Sequence, residues 1–316
     1  RLGEDDSRPE YGNFSWFSML FSAGMGIGLM FWSIAEPITH FQSNPFVEQG
    51  LTSEAAQIAM RLTFFHWGLH PWAIYVVVGL SLSYFSYRKK LPLTIRSSLY
   101  PLIGNKIYGP IGHTVDILAV FGTVFGVATS LGLGVTQMNT GLNLMFGMDI
   151  SLGNQILLIG VISSIATLSV VSGVGRGVKI LSEVNMCLTA GVLVFLLCFG
   201  PTRFLLSSLI QNIGDYLSNL LSLSTWTDSY TDSKWQSSWT AFYWGWWMAW
   251  APFVGMFIAR VSKGRTIREF IIGVLLVPSL LGFIWLTLFG SNALYLELFH
   301  QITDAVPYAS LTLPTV

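Results

Sequence analysis

Charge is scarce in this sequence. Only 10% of the 316 residues are Asp, Glu, Lys or Arg, against 52% hydrophobic and 14% aromatic. A soluble domain carries about 25% charged residues, so a water-solvated globular protein is excluded. The mean hydropathy of +0.59 agrees. Sixteen basic residues balance 16 acidic ones, so the positive balance that a nucleic-acid partner needs is missing. Cysteine is nearly absent: Cys187 and Cys198 share one apolar run and offer neither a disulfide framework nor a metal site. There is no initiator Met and no signal peptide, and the chain opens on a polar strip, residues 1–13, so it reads as a piece of a longer protein. No nucleophile–base constellation or phosphate loop is visible, so an enzyme is not expected, nor a cofactor beyond a coupling ion. The Gly-x-Gly-x-Gly run lies in an apolar segment, not in the strand–turn–helix unit of a dinucleotide fingerprint.

Long apolar runs are what the chain does have, and they predict an all-α integral membrane protein. Seven spans are expected, at about 14–40, 58–86, 112–147, 153–172, 180–200, 237–260 and 270–293. A helix start is expected at Thr52 or Ser53. Residues 203–221, broken by Gln211, Asn212, Gly214 and Asp215, read as an amphipathic surface helix. With loops alternating sides, 13 of the 16 Lys and Arg fall on the side of the N-terminal strip. The positive-inside rule then places that strip in the cytoplasm.

The segment from Trp239 to Arg260 holds five Trp, at 239, 244, 246, 247 and 250. Ordinary spans keep Trp for their ends. At about 100° per residue, Trp246, Trp247, Trp250 and Phe253 share one helical arc. Such an indole wall can hold a cation without hydrogen-bond donors, a quaternary ammonium, or it can be an aromatic packing face. Trp72 and Tyr75 share a face of the second span, with Trp67 near them. Gly24, Gly26 and Gly28 alternate in the first span, an arrangement that suits a broken helix lining a cavity, or a close helix contact. His66 and His70, at i and i+4, suggest hydrogen-bonded interior histidines before a metal pair, because no third ligand is visible. Glu36 is a functional candidate by depth, although capping or a structural hydrogen bond is the expected role.

Three stretches, FSAGMGIGLMFWSIAEP (21–37), HWGLHPWAIY (66–75) and SWTAFYWGWWMAWAPFVGMFIARVSKGRTIREF (238–270), resemble the betaine/carnitine/choline transporter family. Ala241 departs from the larger aliphatic residue usual there. The resemblance covers essentially the whole chain. It implies a leucine-transporter-like fold of two inverted five-helix repeats with two extra N-terminal helices. On that pattern residues 1–200 hold the N-terminal strip and the first repeat, 201–236 an extracytoplasmic helix and loop, and 237–316 the truncated start of the second repeat. A homotrimer in the lipid bilayer of the cell membrane is implied.

The family's substrate box carries over to Trp67, Trp72, Tyr75, Trp246, Trp247, Trp250 and Met25, with Gly24, Gly26 and Gly28 as the broken-helix backbone. Trp250 sides with the betaine carriers, since carnitine exchangers have Tyr there. Sodium-independent branches place an Arg in the helix matching 182–188, where this chain reads SEVNMCL. Sodium coupling is therefore expected, with ions at Ser22 and the Met25 backbone, and at Thr123, Ser130 and Phe253. Val127 stands where a second Thr is usual and weakens the latter site. The resemblance implies import of glycine betaine. Alternatives are choline, carnitine or a sulfonium solute with proton coupling or exchange and, outside transport, a membrane-embedded sensor.

Overall fold

The computed structural model describes residues 1–24, 26–231 and 233–300, with backbone alone for Ile27 and His300. The regular structure is helical, with no strand among the described residues. In chain order the helices are α1 Asn13–Gly24, α2 Ile27–Gln42, α3 Ser53–Trp67, α4 Leu69–Ser83, α5 Tyr100–Ile103, α6 Pro110–Phe146 and α7 Leu152–Val171. There follow α8 Lys179–Phe199, α9 Thr202–Thr225, α10 Phe242–Val261, α11 Ile267–Leu286 and α12 Asn292–His300. A π-type turn, Ser237–Ala241, leads into α10, and another, Thr287–Ser291, joins α11 to α12.

Five helical stretches are long and apolar enough to cross a membrane: Ser53–Arg88, Pro110–Phe146, Leu152–Val171, Val174–Phe199 and Ile267–Phe299. α1 and α2 qualify only when counted as one span, and α10 does not qualify. Seven spans therefore exceed the count that length and composition give. Indole and phenol groups carry a polar N–H or O–H, so the aromatic content that makes α10 distinctive also lowers its hydropathy. The last apolar stretch runs on to Phe299, beyond the expected end near 293. Leu, Val, Ile and Phe side chains such as Phe125, Leu157, Leu168 and Phe195 point outward from α6, α7 and α8. Each fully exposed side chain of this size costs about 1.5–3 kcal/mol in water relative to burial, a penalty that hydrocarbon surroundings remove.

The chain divides into two compact units. The first is Arg1–Gly28, Ala73–Leu188 and Trp246–Pro278. Here the N-terminal strip is pinned to the loop after α10. Leu2 exchanges backbone hydrogen bonds with Arg265 and Gly264, both 2.7 Å, and is fully buried. The Arg265 guanidinium donates to Tyr11 O and Asn13 Oδ1 and lies 4.2 Å over the Trp16 ring. Trp16 in turn donates to Ser262 Oγ at 2.9 Å. Gly264 has φ +83°, and a Cβ there would sit 2.0 Å from Arg8 O, so glycine is required. α4 and α10 approach closely: a Cβ on Gly255 would lie 2.6 Å from Val78 Cγ1. Thr266 and Glu269 form a reciprocal capping box that starts α11.

The second unit is Leu29–Trp72, Thr189–Gly245 and Ser279–Val316, described as far as His300. Thr52 caps α3, accepting from Ala55 N at 3.1 Å. α9 lies along α3, where Arg61 makes a two-point ion pair with Asp215 at 2.6 and 2.8 Å. Leu205, Asn212, Tyr216 and Leu223 form the buried face of α9, while Leu206, Ile210, Leu217 and Leu221 are exposed. The helical run breaks at Gly68. A Cβ there would meet Phe64 O at 2.5 Å and the Phe283 ring at 2.8 Å. Tyr216 Oη accepts the freed Leu69 N–H at 3.1 Å, which satisfies a backbone donor at the break.

Candidate functional site

In the second unit, side chains from α2, α3, the 226–241 segment and α10 meet around one buried carboxylate. α2 is apolar except for a short polar face, with Glu36 and His40 one turn apart. Glu36 is fully buried. Its Oε1 faces His66 Nδ1 at 2.6 Å, and its Oε2 accepts from Trp67 Nε1 at 2.8 Å and Tyr243 Oη at 2.5 Å. His66 Nε2 meets Thr240 Oγ1 at 3.0 Å. The His66 and Tyr243 rings stack at 4.6 Å. An unpaired buried carboxylate costs several kcal/mol, so each of these donors offsets part of the desolvation. His40, also fully buried, brings Nε2 to 3.6 Å from Glu36 Oε1 and packs its ring 4.3 Å from that of Trp239.

Ligand-type atoms of Glu36, His40 and His66 lie within 4.8 Å of one another, a spacing that a transition metal could use. Hydrogen bonds already engage both oxygens of Glu36 and both nitrogens of His66. The cluster therefore reads as a hydrogen-bonded knot.

The i, i+4 pairing of His66 with His70 does not survive the break at Gly68. His66 turns to Glu36, whereas His70 stacks on Trp244 at 5.3 Å and meets Ser224 Oγ at 3.0 Å. The same break interrupts the helical wheel that related Trp67 to Tyr75. Glu36 lies inside α2, which continues to Gln42, so a hydrogen-bonding role replaces helix-end capping. Trp72 lies on α4 and is buried.

In the first unit α4 and α10 bring aromatic faces together. Tyr75 meets Trp247 edge-on at 5.9 Å, and Trp246 stacks on Trp247 at 5.7 Å and 15°. One turn on, Trp250 and Phe253 are 5.9 Å apart at 73°. α6 makes room for this face at Gly126, where a Cβ would sit 2.8 Å from Trp250 Nε1. Thr123 and Ser130 lie seven residues apart on α6, on one helical face, and Thr123 Oγ1 donates to Ala119 O. Ser22 Oγ accepts from Asn185 Nδ2 at 3.3 Å. α1 stops at Gly24 and α2 starts at Ile27, so Gly26 lies between helices and Gly28 within the first turn of α2. Met25 lies outside the described residues.

The family model for betaine/carnitine/choline family transporters matches residues 1–313. The chain belongs to this family. It is 55% identical over 295 residues to a glycine betaine transporter of Acinetobacter baylyi, covering 93% of this chain and 44% of that protein. It is 49% identical over 299 residues to the glycine betaine transporter OpuD of Bacillus subtilis, covering 94% and 58%. It is 48% identical over 301 residues to the high-affinity choline transport protein of Escherichia coli K12, covering 95% and 44%. The chain thus spans about half the length of the curated relatives it matches.

Within this family member, the Glu36 knot is what motif reading did not assemble. Glu36 and His40 are a local i, i+4 pair, and His66–Trp67 a dipeptide, so each half was visible. Their meeting with Thr240 and Tyr243, more than 170 residues away, has no local signature.

Proposed function

We propose that this chain is part of a secondary active transporter of the cell membrane that imports a quaternary-ammonium compatible solute, glycine betaine before others, coupled to Na⁺. The stacked Trp246–Trp247 pair with Tyr75 edge-on carries this reading. Aromatic faces attract a cation that offers no hydrogen-bond donor, and a lysine-type ammonium would lose hydration that indoles cannot replace. The resemblance assigns Trp67, Trp72, Trp250 and Met25 to the same box. At about 0.5–2 kcal/mol per cation–π contact, three contacts contribute about 1.5–6 kcal/mol toward the roughly 8 kcal/mol of micromolar binding.

The reading includes a leucine-transporter-like inverted-repeat fold with seven spans in this chain, a cytoplasmic N-terminal strip and a homotrimeric assembly. Sodium would be held at Ser22 with the Met25 backbone, and at Thr123, Ser130 and Phe253. Alternating access around the box would carry the solute across. Choline is the second reading, favoured by the 48% identity to a choline transport protein; both solutes present the same trimethylammonium head.

The test is uptake of labelled glycine betaine and labelled choline by the full-length parent, with and without Na⁺, in cells lacking their own osmolyte carriers. Saturable, Na⁺-dependent betaine uptake is the expected result. Uptake indifferent to Na⁺ would remove the sodium sites from the proposal. Uptake of neither solute would remove the transporter reading for these substrates.

A further inference from the structure

The carboxylate knot of the second unit gathers titratable side chains around one buried acid. Glu36 is fully buried, and its ion-pair partners among the described residues are His40 and His66. The other titratable groups facing the knot are Tyr243 from α10 and, next to His66, His70 from α4. No lysine or arginine forms an ion pair with Glu36 among the described residues. Neutralising this carboxylate therefore requires a proton from solvent.

His66 Nδ1, the Trp67 Nε1–H and the Tyr243 O–H face the two oxygens of Glu36 and are placed to hold the carboxylate in its ionised form. The other ring nitrogen of His66, Nε2, meets Thr240 Oγ1 at 3.0 Å. His40 differs from His66. Neither of its ring nitrogens has a hydrogen-bond partner among the described residues, although the side chain is fully buried. Its Nε2 nevertheless points at Glu36 Oε1 from 3.6 Å. Its ring lies against two indoles, 4.3 Å from Trp239 and 5.4 Å from Trp235. Indole faces and a carboxylate each attract an imidazolium, and here they act against the cost of burying its charge.

We propose that Glu36, His40 and His66 form a proton-binding site, with His40 as the member that gains and loses the proton. On uptake, a proton from water adds to the ring-nitrogen lone pair of neutral His40, and the resulting imidazolium faces Glu36 Oε1. The charge of the knot rises by one. No other bond has to break, because His66, Trp67 and Tyr243 keep their places. The site ties α2 to α3 and α10, so its proton count alters how firmly these helices are held together. If the chain transports as proposed above, transport becomes pH-dependent through a site that includes Trp67, which the resemblance also assigns to the onium box; that consequence rests on the transporter reading, whereas the proton site does not.

An imidazolium quenches a neighbouring indole, and Trp239, 4.3 Å from His40, is the reporter. The purified full-length parent is titrated from about pH 8.5 to about pH 4.5, a range that brackets the ordinary imidazole titration. A single-proton quenching step is expected, absent from His40→Gln and retained in His70→Gln. If His40→Gln fails to elute as the native species, Trp239→Phe replaces it, since removing the reporting indole removes most of the step. A flat titration, or identical steps in the parent and the His40 variant, overturns the site. In proteoliposomes, betaine uptake by the parent should change by about threefold or more across the step, and by less in His40→Gln. Equal pH profiles overturn the link to transport. A fluorescence step without uptake at any pH leaves the proton site standing and overturns the transporter reading.

Discussion

Glu36 shows how much one side chain can require of its neighbours. A carboxylate with no solvent contact must find donors, and it finds them on His66, Trp67 and Tyr243. Removing one partner leaves a charge buried and under-paired. His66→Ala should destabilise the protein by about 3–5 kcal/mol, the usual cost of breaking a buried pair from one side. The thermal midpoint of the detergent-solubilised full-length parent measures this; an unchanged midpoint would mean that the knot does not hold the fold. Thr240→Val, which removes only the outer hydrogen bond to His66 Nε2, should cost about 1 kcal/mol by the same measurement.

At the scale of elements, glycine decides where helices stop and how closely they approach. Gly255 lets α10 lie against α4 in the first unit, since a Cβ there would reach within 2.6 Å of Val78. Gly255→Leu should therefore cost about 1–3 kcal/mol through overpacking, read again as a fall in the thermal midpoint. Gly68 ends α3 and explains why the sequence was only partly legible around it. Periodicity carried through HWGLHPWAIY relates His66 to His70 and Trp67 to Tyr75, but the helix is not continuous there. The helical class and the apolar stretches could be read from composition, because burial in hydrocarbon requires long apolar runs. α10 escaped the same rule in the other direction: it is recognisable by its tryptophans and fails on hydropathy. The stacked Trp246–Trp247 pair was foreshadowed by helical phase. The contact of Tyr75 with Trp247 depends on how α4 packs on α10, which no local pattern encodes.

At the scale of the whole molecule, charge is concentrated where the N-terminal strip meets the ends of α4 and α10 in the first unit. Glu10 pairs with Arg260 at 2.9 Å and Asp5 with Arg88 at 2.6 Å. The hydrogen bond from Arg260 holds the Glu10 carboxyl below its usual 4.5, and that from Arg88 holds Asp5 below 3.8. Depressed carboxyl values stabilise the folded form above the unfolded value and lose that contribution as pH falls through the folded one. The strip should therefore stay docked at neutral pH and loosen in acid, below about 4, where both carboxyls protonate. Both pairs are exposed, so the effect should weaken in salt. Limited proteolysis of residues 1–13 in acid against neutral buffer checks this, with Glu10→Gln expected to loosen the strip already at neutral pH.

The proposed function depends most on whether the indole pair on α10 binds an onium group. Equilibrium binding of glycine betaine to the purified full-length parent in Na⁺, beside Trp247→Leu, addresses it directly. A micromolar Kd that weakens by about tenfold or more in the variant is expected, from the loss of about 1.4 kcal/mol or more of cation–π attraction. An unchanged Kd in a folded Trp247→Leu protein would contradict the onium box.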